Sequence, residues 1–236
     1  MTLKAVLFDF NGIIINDEAL HQDAIAQIML EENLRPDPAE YWQVCLGRSD
    51  RACLTDLFER RGRVLTEEAL QKLIERKAQI YRQKLEAAQP LPIYPDLNDF
   101  IFKTRAAHLS LAVVSGALTR EIEWVLGQTQ LRQHFSTVVA GDDVTTSKPD
   151  PDGYLLAVER LNQSNPSLQL HPSQCLVLED SFPGIEAAKR AGMPVVGVAH
   201  TYPFHMLQRL ANWTVDYLID IELDRIQKTY AAVAVG

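Results

Sequence analysis

The 236-residue chain contains two kinds of segment, which differ in their hydrophobic pattern. Between about Glu18 and Ala88, apolar residues such as Ala24, Ile25 and Ile28 recur at helical spacing, and strand-like runs are nearly absent. Outside that segment, short apolar runs alternate with helical patterns. We predict strands at 4–9, 111–114, 137–140, 175–179 and 195–199, and helices at about 96–107, 119–127, 152–162, 183–191 and 203–210.

The alternation of strands and helices predicts an α/β fold, a Rossmann-like doubly wound parallel sheet with crossover helices. The helical segment 17–88 predicts an all-helical cap domain inserted after the first strand. The α/β core then comprises residues 1–15 and 93–236. Residues 89–95 contain three prolines, and we expect them to form a stiff return that joins neither a helix nor a strand.

Composition and charge narrow the possible partners. Apolar residues make up 47% of the chain, which is enough for a real core, and the net charge is −8. An acidic balance argues against nucleic acid and anionic membrane as partners, but a local site still admits a small phosphorylated substrate. No apolar stretch reaches the length needed to cross a bilayer, and we expect a monomer.

The three cysteines, Cys45, Cys53 and Cys175, occur in unrelated contexts, without a CxxC pair or a Cys/His metal spacing. An odd, sparse cysteine count fits a reducing compartment. The N-terminus carries one lysine and a short apolar run that contains Asp9, which is not the pattern of a signal peptide. We therefore predict a cytoplasmic protein.

Polar side chains follow three of the predicted strands, at the point where each strand ends. Asp9 ends the first strand, Ser115 and Gly116 follow the strand at 111–114, and Glu179 and Asp180 end the strand at 175–179. Ligands of parallel sheets bind just outside the carboxyl ends of the strands. We therefore expect these distant segments to form one polar site.

The residue types in this site suit a metal and a phosphate group. Paired carboxylates are ligands for Mg²⁺, which takes few protein oxygens and keeps waters. A hydroxyl and backbone N–H groups at the turn Ser115-Gly116-Ala117 can hold phosphate oxygens. Lys148 lies in the rigid turn Ser147-Lys148-Pro149, where it can clamp a phosphoryl group.

Each of these residues also has an ordinary structural interpretation when it is taken alone. Asp9 is then a turn residue, Ser115 an N-cap, and Lys148 a solvated surface charge. Glu179 and Asp180 are then the acidic start of a helix. A lone histidine such as His21 is more often structural than catalytic.

The motifs together, in this order, resemble the haloacid dehalogenase-like superfamily. The resemblance is to its β-phosphoglucomutase-like and phosphoglycolate-phosphatase-like branch, which has a helical cap inserted after the first strand. The matching segments are Leu7-Phe8-Asp9-Phe10-Asn11-Gly12, Asp17-Glu18 to His21, Gly47-Arg48-Ser49, Val114-Ser115-Gly116, Ser147-Lys148-Pro149, and Leu178-Glu179-Asp180-Ser181 with Gly184-Ile185, Ala187-Ala188 and Ala191-Gly192.

The resemblance implies a role for each core residue. Asp9 is the expected nucleophile, which forms an aspartyl-phosphate. The expected ligands of Mg²⁺ are Asp9, the backbone carbonyl of Asn11 and Asp180, with Glu179 nearby. The expected holders of the phosphoryl oxygens are the Ser115-Gly116 turn and Lys148, which suits a reaction that depends on positioning and charge neutralisation.

The resemblance also implies that the cap closes over the leaving group. The cap residues expected at the substrate are His21, Gly47, Arg48, Ser49 and Arg51, with Trp42 in the same segment. The cap side chains would choose the substrate.

Asn11 departs from the family pattern, which usually has an aspartate at this position as general acid and base. An asparagine has no titratable proton, and acid–base help contributes typically about 10²–10⁴-fold to such reactions. The backbone carbonyl is unchanged, so metal binding should survive. His21 is the nearby candidate to act as acid or base, provided that the closed cap brings it close.

These observations predict a Mg²⁺-dependent phosphohydrolase that acts on a small phosphorylated metabolite and is slowed by Asn11. One alternative is a β-phosphoglucomutase-like sugar-phosphate mutase. Another is a catalytically weak family member that binds a phosphorylated ligand as a sensor or partner, and Asn11 favours this alternative.

Overall fold

A six-stranded parallel sheet lies at the centre of the fold in the computed structural model, which describes residues 2–232. The strand order within these residues is β3-β2-β1-β4-β5-β6. The strands are β1 (Ala5–Phe8), β2 (Ser110–Val114), β3 (Thr137–Val139), β4 (Cys175–Glu179), β5 (Val195–Val198) and β6 (Trp213–Val215).

Strand β1 lies in the middle of the sheet. All four of its residues are apolar, which allows them to be fully buried on both faces, as in other central parallel strands. It pairs with β2 and with β4, and Ala5 lies opposite Ser110 on one side and Cys175 on the other. The chain adds β2 and β3 on one side of β1, and then β4, β5 and β6 on the other side. Open α/β sheets bind ligands at the point where the strand order reverses in this way. Asp9 directly follows β1 and therefore lies between the ends of β2 and β4.

Ten α-helices surround or extend the sheet within residues 2–232. They are α1 (Glu18–Glu31), α2 (Pro38–Val44), α3 (Asp50–Glu59), α4 (Glu67–Ala87), α5 (Leu97–Ala106), α6 (Thr119–Gln128), α7 (Asp152–Ser164), α8 (Phe182–Arg190), α9 (Phe204–Leu207) and α10 (Leu223–Ala232). Helices α1 to α4 follow β1 without an intervening strand. The predicted fold class, a doubly wound core with an inserted helical cap, is confirmed, and the exact domain limits stay a prediction.

The two chain segments that join the cap to the core run side by side. Asn16 donates its backbone N–H to the Pro92 carbonyl at 2.8 Å, and Ile15 forms an antiparallel bridge with Ile93. Residues 89–95 join neither a helix nor a strand, as expected, and Ile93 contributes only this isolated bridge. The pairing satisfies backbone groups that the prolines would otherwise leave without partners at this crossing.

The end of the sheet and the C-terminal helix were not predicted. Strand β6 has three half-buried residues, too few to show a period. Helix α10 buries Leu223, Ile226 and Tyr230 at helical spacing, so it was detectable from the pattern. Helix α9 was predicted at 203–210 and is only four residues long.

The interpretation of the cysteines as unrelated is wrong for two of them. Cys45 and Cys53 form a disulfide in the cap, and Cys175 is free and buried on β4. The two bonded residues are eight positions apart in the sequence. They meet because the chain turns at Gly47, where φ is +73°, and this turn brings the end of α2 back to α3. Their spacing does not reveal this turn.

Apolar side chains pack on both faces of the sheet. One cluster contains Val6 and Phe8 and continues into the cap, whereas the other contains Ala5 and Leu7 and lies under α7 and α8. This alternation is what a strand buried on both faces requires. Within the described residues, every helix is too short or too polar to cross a bilayer.

Candidate active site

The turn after β1 brings Asp9 against the end of β4. Asp9 continues the ladder through its backbone N–H to the Leu178 carbonyl at 3.0 Å. Gly12 has φ +75°, and a Cβ there would lie 1.8 Å from Asp180 Oδ2. Only glycine fits this position without displacing the carboxylate, so the turn holds Asp9 and Asp180 next to each other.

Lys148 joins the carboxylates of two strands. Its Nζ lies 2.9 Å from Asp9 Oδ1 and 2.6 Å from Glu179 Oε1, and it is 8% exposed. Burial alone lowers the pKa of this ammonium, but the charges of Asp9 and Glu179 outweigh burial and raise it. Lys148 therefore stays charged, and the surface-charge interpretation is excluded.

Glu179 is fully buried and already has hydrogen-bond donors on both oxygens. Oε1 accepts from Lys148 and from the Tyr154 hydroxyl at 2.7 Å, and Oε2 accepts from the Ser181 hydroxyl at 3.0 Å. A Cβ at Gly184 would lie 1.8 Å from Glu179 Oε1, so α8 approaches it through a glycine. Glu179 holds Lys148 in place.

Three buried carboxylates, those of Asp9, Glu179 and Asp180, offer oxygens within 4.8 Å of one another. Burial, followed by the charge of Glu179, raises the pKa of Asp9 to about 7 against the opposing effect of Lys148. Burial and the charges of Glu179 and Asp9 raise the pKa of Asp180 well above its ordinary value. Lys148 alone does not neutralise three carboxylates, so the group fits a hard cation.

The turn at which we predict phosphate binding follows the end of β2. Ser115 Oγ accepts from the Ala117 N–H at 3.0 Å and donates to Asn11 Oδ1 at 3.4 Å. Gly116 lines the same cavity as Asp9 and Lys148. The three strand ends thus meet as predicted.

Asn11 contacts a buried polar network from the cap that was not predicted. Its Nδ2 donates to the Asp17 carboxylate and lies 3.0 Å from His21 Nε2. Asp17 also accepts from the Tyr81 hydroxyl at 2.5 Å, and His21 Nδ1 lies 2.7 Å from Lys77 Nζ. The cap is closed, and it places His21 against Asn11.

The network determines the state of His21. An ammonium can only donate, so in the neutral ring Nδ1 accepts from Lys77, and Nε2 carries the proton toward Asp17 Oδ2 at 3.3 Å. In this tautomer the 3.0 Å contact between Nε2 and the Asn11 amide nitrogen joins two donors and is not a hydrogen bond. Burial and Lys77 lower the pKa of His21, but Asp17 and Glu121 outweigh them and raise it. Sequence reasoning missed Lys77 and Tyr81, although their i, i+4 spacing on α4 places both on one helix face.

The cavity beneath the closed cap joins both parts of the site. Asp9, Asn11, His21, Lys148 and Asp180 line it, as do the cap residues Gly47 and Arg48. Its volume is about 40 Å³, room for very few waters. A phosphorylated metabolite is larger than this space and does not fit beneath the cap in the closed arrangement.

The remaining cap residues lie at the edge of this cavity or outside it. Ser49 caps α3 and donates its backbone N–H to Ser147 Oγ at 2.8 Å. Arg51 instead pairs with Glu67 at 2.6 Å on the surface, away from the carboxylates. Trp42, in the segment predicted to close over the leaving group, meets Tyr202 of the core edge to face at 5.9 Å.

The family model for haloacid dehalogenase-like hydrolases matches residues 6–198. The chain belongs to this family. The match spans β1 to β5, and it therefore contains every segment that contributes to the site.

Named relatives of this haloacid dehalogenase-like hydrolase include two phosphatases. A phosphorylated carbohydrates phosphatase of Thermotoga maritima is 29% identical over 201 residues, 84% of this chain and 87% of the relative. A fructose-1-phosphate phosphatase of Escherichia coli is 29% identical over 194 residues, 82% of this chain and 95% of the relative.

Solved structures share the fold of this haloacid dehalogenase-like hydrolase. A β-phosphoglucomutase from Clostridium difficile superposes with a TM-score of 0.85 at 20% identity and covers 99% of this chain and 100% of its own. At this identity the likeness shows the fold alone.

Proposed function

We propose that this protein is a Mg²⁺-dependent phosphohydrolase of small phosphorylated metabolites, which acts through an aspartyl-phosphate on Asp9. The observation that carries the proposal is Lys148 bridging Asp9 and Glu179 at the carboxyl edge of the sheet, with Asp180 beside them. Phosphoryl transfer depends on positioning and on neutralising charge, and this arrangement provides both. The relatives named as phosphatases support it.

The hydrogen bonds of Asp9 select the attacking oxygen. Oδ1 accepts from Lys148 and from the Phe10 N–H at 2.7 Å, so Oδ2 is the oxygen to which no described residue donates. Oδ2 attacks phosphorus, and the bond from phosphorus to the leaving oxygen breaks. Water then attacks the aspartyl-phosphate, which releases phosphate and restores the carboxylate. Lys148 and the Ser115-Gly116 turn hold the phosphoryl oxygens in both steps.

The metal ligands in this proposal are Asp9, Asp180 and the backbone carbonyl of Asn11. The carboxylates fit a hard cation because they are buried, close together and short of positive charge. Both oxygens of Glu179 already accept hydrogen bonds, so we assign it to positioning Lys148. Bound Mg²⁺ supplies neutralisation of the phosphoryl charge.

Asn11 slows this chemistry in the proposal, because its amide gives no proton to the leaving oxygen and takes none from water. The amide nitrogen donates to Asp17 and has no titratable proton, which favours a second candidate: a weak family member that binds a phosphorylated ligand as a sensor. The sensor would use the same Lys148 and metal contacts without turnover. We also propose that the protein acts as a monomer.

A panel of phosphate esters separates these candidates when turnover and thermal stabilisation are measured side by side with Mg²⁺. Turnover that Asp9→Asn abolishes, and that the surface control Asp224→Asn retains, supports the phosphohydrolase. Stabilisation by an ester without turnover supports the sensor. A requirement for a bisphosphate activator supports the mutase, and an absence of both turnover and stabilisation contradicts all three.

A further inference from the structure

The cap loop that meets the core is closed at its base by a disulfide. Cys45 is the residue that ends α2, Cys53 lies in the first turn of α3, and residues 46–49 form the loop between them. Cys45 and Cys53 are 5% and 2% exposed, and both line the cavity that contains Asp9 and Lys148. The cross-link is therefore part of the wall of the candidate active site.

The loop touches the core next to functional residues. The Ser49 N–H donates to Ser147 Oγ at 2.8 Å, beside Lys148. A Cβ at Gly47 would lie 2.5 Å from Ser181 Oγ, beside Asp180. The loop therefore contacts the residues that directly precede Lys148 and follow Asp180 in the chain.

A third contact is made by the loop backbone. A Cβ at Gly116 would lie 2.9 Å from the carbonyl carbon and oxygen of Arg48. Gly116 belongs to the turn that holds Ser115, so the loop backbone covers the proposed phosphate-binding turn. A small displacement of residues 46–49 would change the cavity on three sides.

The other restraints on this loop are weak. Helix α2 has only seven residues, and helices of that length are marginal without tertiary support. The Arg48 guanidinium ties the loop to the Val44 carbonyl at 2.9 Å and to Asp56 at 2.6 Å. Asp56 is 40% exposed at its side chain, and ion pairs in contact with water contribute little. Glu40 of α2 also pairs with Arg61, which follows α3, at 2.6 Å, but the disulfide is the covalent connection between the two helices and lies at the base of the loop.

We propose that the Cys45–Cys53 disulfide is a redox-sensitive staple that holds loop 46–49 against the core and thereby sets the affinity for substrate. The part that concerns substrate rests on the proposed function. Reduction frees the end of α2, and the loop then samples positions in which its contacts with Ser147, Ser181 and Gly116 are lost. The expected result is weaker substrate binding and less complete cap closure.

The redox step requires a dithiol reductant. One of its thiolates attacks the sulfur of Cys45 or Cys53, the sulfur–sulfur bond breaks, and a mixed disulfide forms. The second thiol displaces the protein sulfur, which leaves two cysteine thiols and a cyclic disulfide of the reductant. Two electrons and two protons pass from the dithiol to the protein. Both sulfurs are buried, so the attack takes place when the cap is open.

The test compares the air-oxidised protein with the protein treated with dithiothreitol. Alkylation under denaturing conditions followed by intact mass should add one group to the oxidised chain, at Cys175, and three after reduction. Reduction should raise KM for a phosphate ester by about fivefold or more, a binding change of the size that one lost anchor produces, with a smaller change in kcat. The double variant Cys45→Ser/Cys53→Ser should have the KM of reduced wild type, and dithiothreitol should not change it.

Two controls keep the outcome decisive. Cys175→Ala should respond to reductant as wild type does. Trp42 lies on α2 against Tyr202, so its fluorescence should shift to the red on reduction, and Trp42→Phe should identify that signal among the three tryptophans. Three alkylated thiols in air-oxidised protein, or an unchanged KM after complete reduction, overturns the proposal. If every ester fails as substrate, the proposed function fails, and the alkylation count together with the Trp42 emission decides whether the staple holds the loop.

Discussion

The side-chain amide of Asn11 donates hydrogen bonds to both carboxylate oxygens of Asp17, at 3.1 and 2.9 Å. Asp17 is 1% exposed, and a buried carboxylate is costly unless donors surround it. The Tyr81 hydroxyl is a further donor to the same carboxylate. An amide at position 11 is therefore matched to its surroundings, whereas an aspartate there would place two carboxylates against each other.

This relationship changes what a simple reversion at position 11 should do. Asn11→Asp alone places a second carboxylate against buried Asp17, and such a close pair favours sharing one proton, which costs stability and restricts proton transfer. Asn11→Asp combined with Asp17→Asn keeps one carboxylate and one amide with their positions exchanged. We expect the double variant to hydrolyse ordinary phosphate monoesters about 10²-fold faster than wild type, and Asn11→Asp alone to gain less.

Asp17→Asn alone is the matched control, and it should not accelerate turnover. Asn11-Gly12 is an Asn-Gly pair, in which the unhindered glycine nitrogen favours deamidation to aspartate. Wild-type rates must therefore come from fresh protein whose mass shows an intact amide. The idea that Asn11 limits catalysis fails if such protein turns over sugar phosphates as fast as the double variant.

The identity of the leaving group should matter strongly in wild type. Leaving groups that need little protonation, such as those of p-nitrophenyl phosphate and acetyl phosphate, should give the best substrates. Hydrolysis of the aspartyl-phosphate also needs a base, so the phosphoenzyme should accumulate and add the mass of one phosphoryl group to the intact protein. Asp9→Asn should not show this mass. Equal rates for good and poor leaving groups would contradict a missing general acid.

Mg²⁺ should stabilise the protein, and more so at higher pH. Without metal, the folded state keeps the Asp9 proton up to about pH 7, whereas the unfolded chain releases it near 3.8. The free energy of unfolding should therefore fall as pH rises from about 4 to 7. Mg²⁺ binds the deprotonated carboxylates, so its stabilisation should grow over the same interval, and at 100 times its dissociation constant it should reach about 2.7 kcal/mol.

Thermal unfolding with and without Mg²⁺ at pH 5, 6, 7 and 8 checks this expectation. Asp180→Asn should remove most of the Mg²⁺ effect, and Asp224→Asn on the surface of α10 should leave it intact. A melting temperature that does not respond to millimolar Mg²⁺ at pH 8 would mean that Asp9 and Asp180 are not metal ligands.

Removal of Lys148 should weaken both binding and stability. Lys148→Ala leaves the buried carboxylates of Asp9 and Glu179 without their cation, which typically costs about 3–5 kcal/mol. Binding of vanadate or tetrafluoroaluminate should weaken as well, and Mg²⁺ should recover part of the stability. Lys189→Ala, on the exposed face of α8, is the control for a lost surface charge. Normal binding of the mimic by Lys148→Ala would remove this lysine from the phosphate site.

The fold and the strand-end residues were predictable because each depends on a local pattern. The apolar run before Asp9 is a buried parallel strand, and the rule that ligands bind at carboxyl ends then places Asp9, Ser115 and Glu179 together without any coordinates. The rigid turn of Lys148 predicts only a fixed lysine near the site, and its ion pairs with Asp9 and Glu179 are tertiary contacts that the motif does not reveal.

The cap side of the site was less predictable because it depends on how the cap packs against the core. The contact between Asp17 and Asn11 requires the chain to reverse within six residues, and Tyr81 reaches Asp17 from 64 residues away. The disulfide depends on the turn at Gly47, which is a tertiary feature. Such contacts have no sequence period, so a pattern search does not find them.

The closed cap must open for substrate, and the paired links at Ile15 and Ile93 are the expected hinge. The cavity of about 40 Å³ is too small for a phosphorylated metabolite, so the protein without ligand should populate open forms in solution. Small-angle scattering should show compaction when Mg²⁺ and tetrafluoroaluminate are added together. Ser147→Ala removes the acceptor of the Ser49 N–H and should increase the radius of gyration without ligand, whereas Ser167→Ala on the surface should not. Identical profiles with and without the mimic would indicate a rigid cap and exclude a hinge at these links.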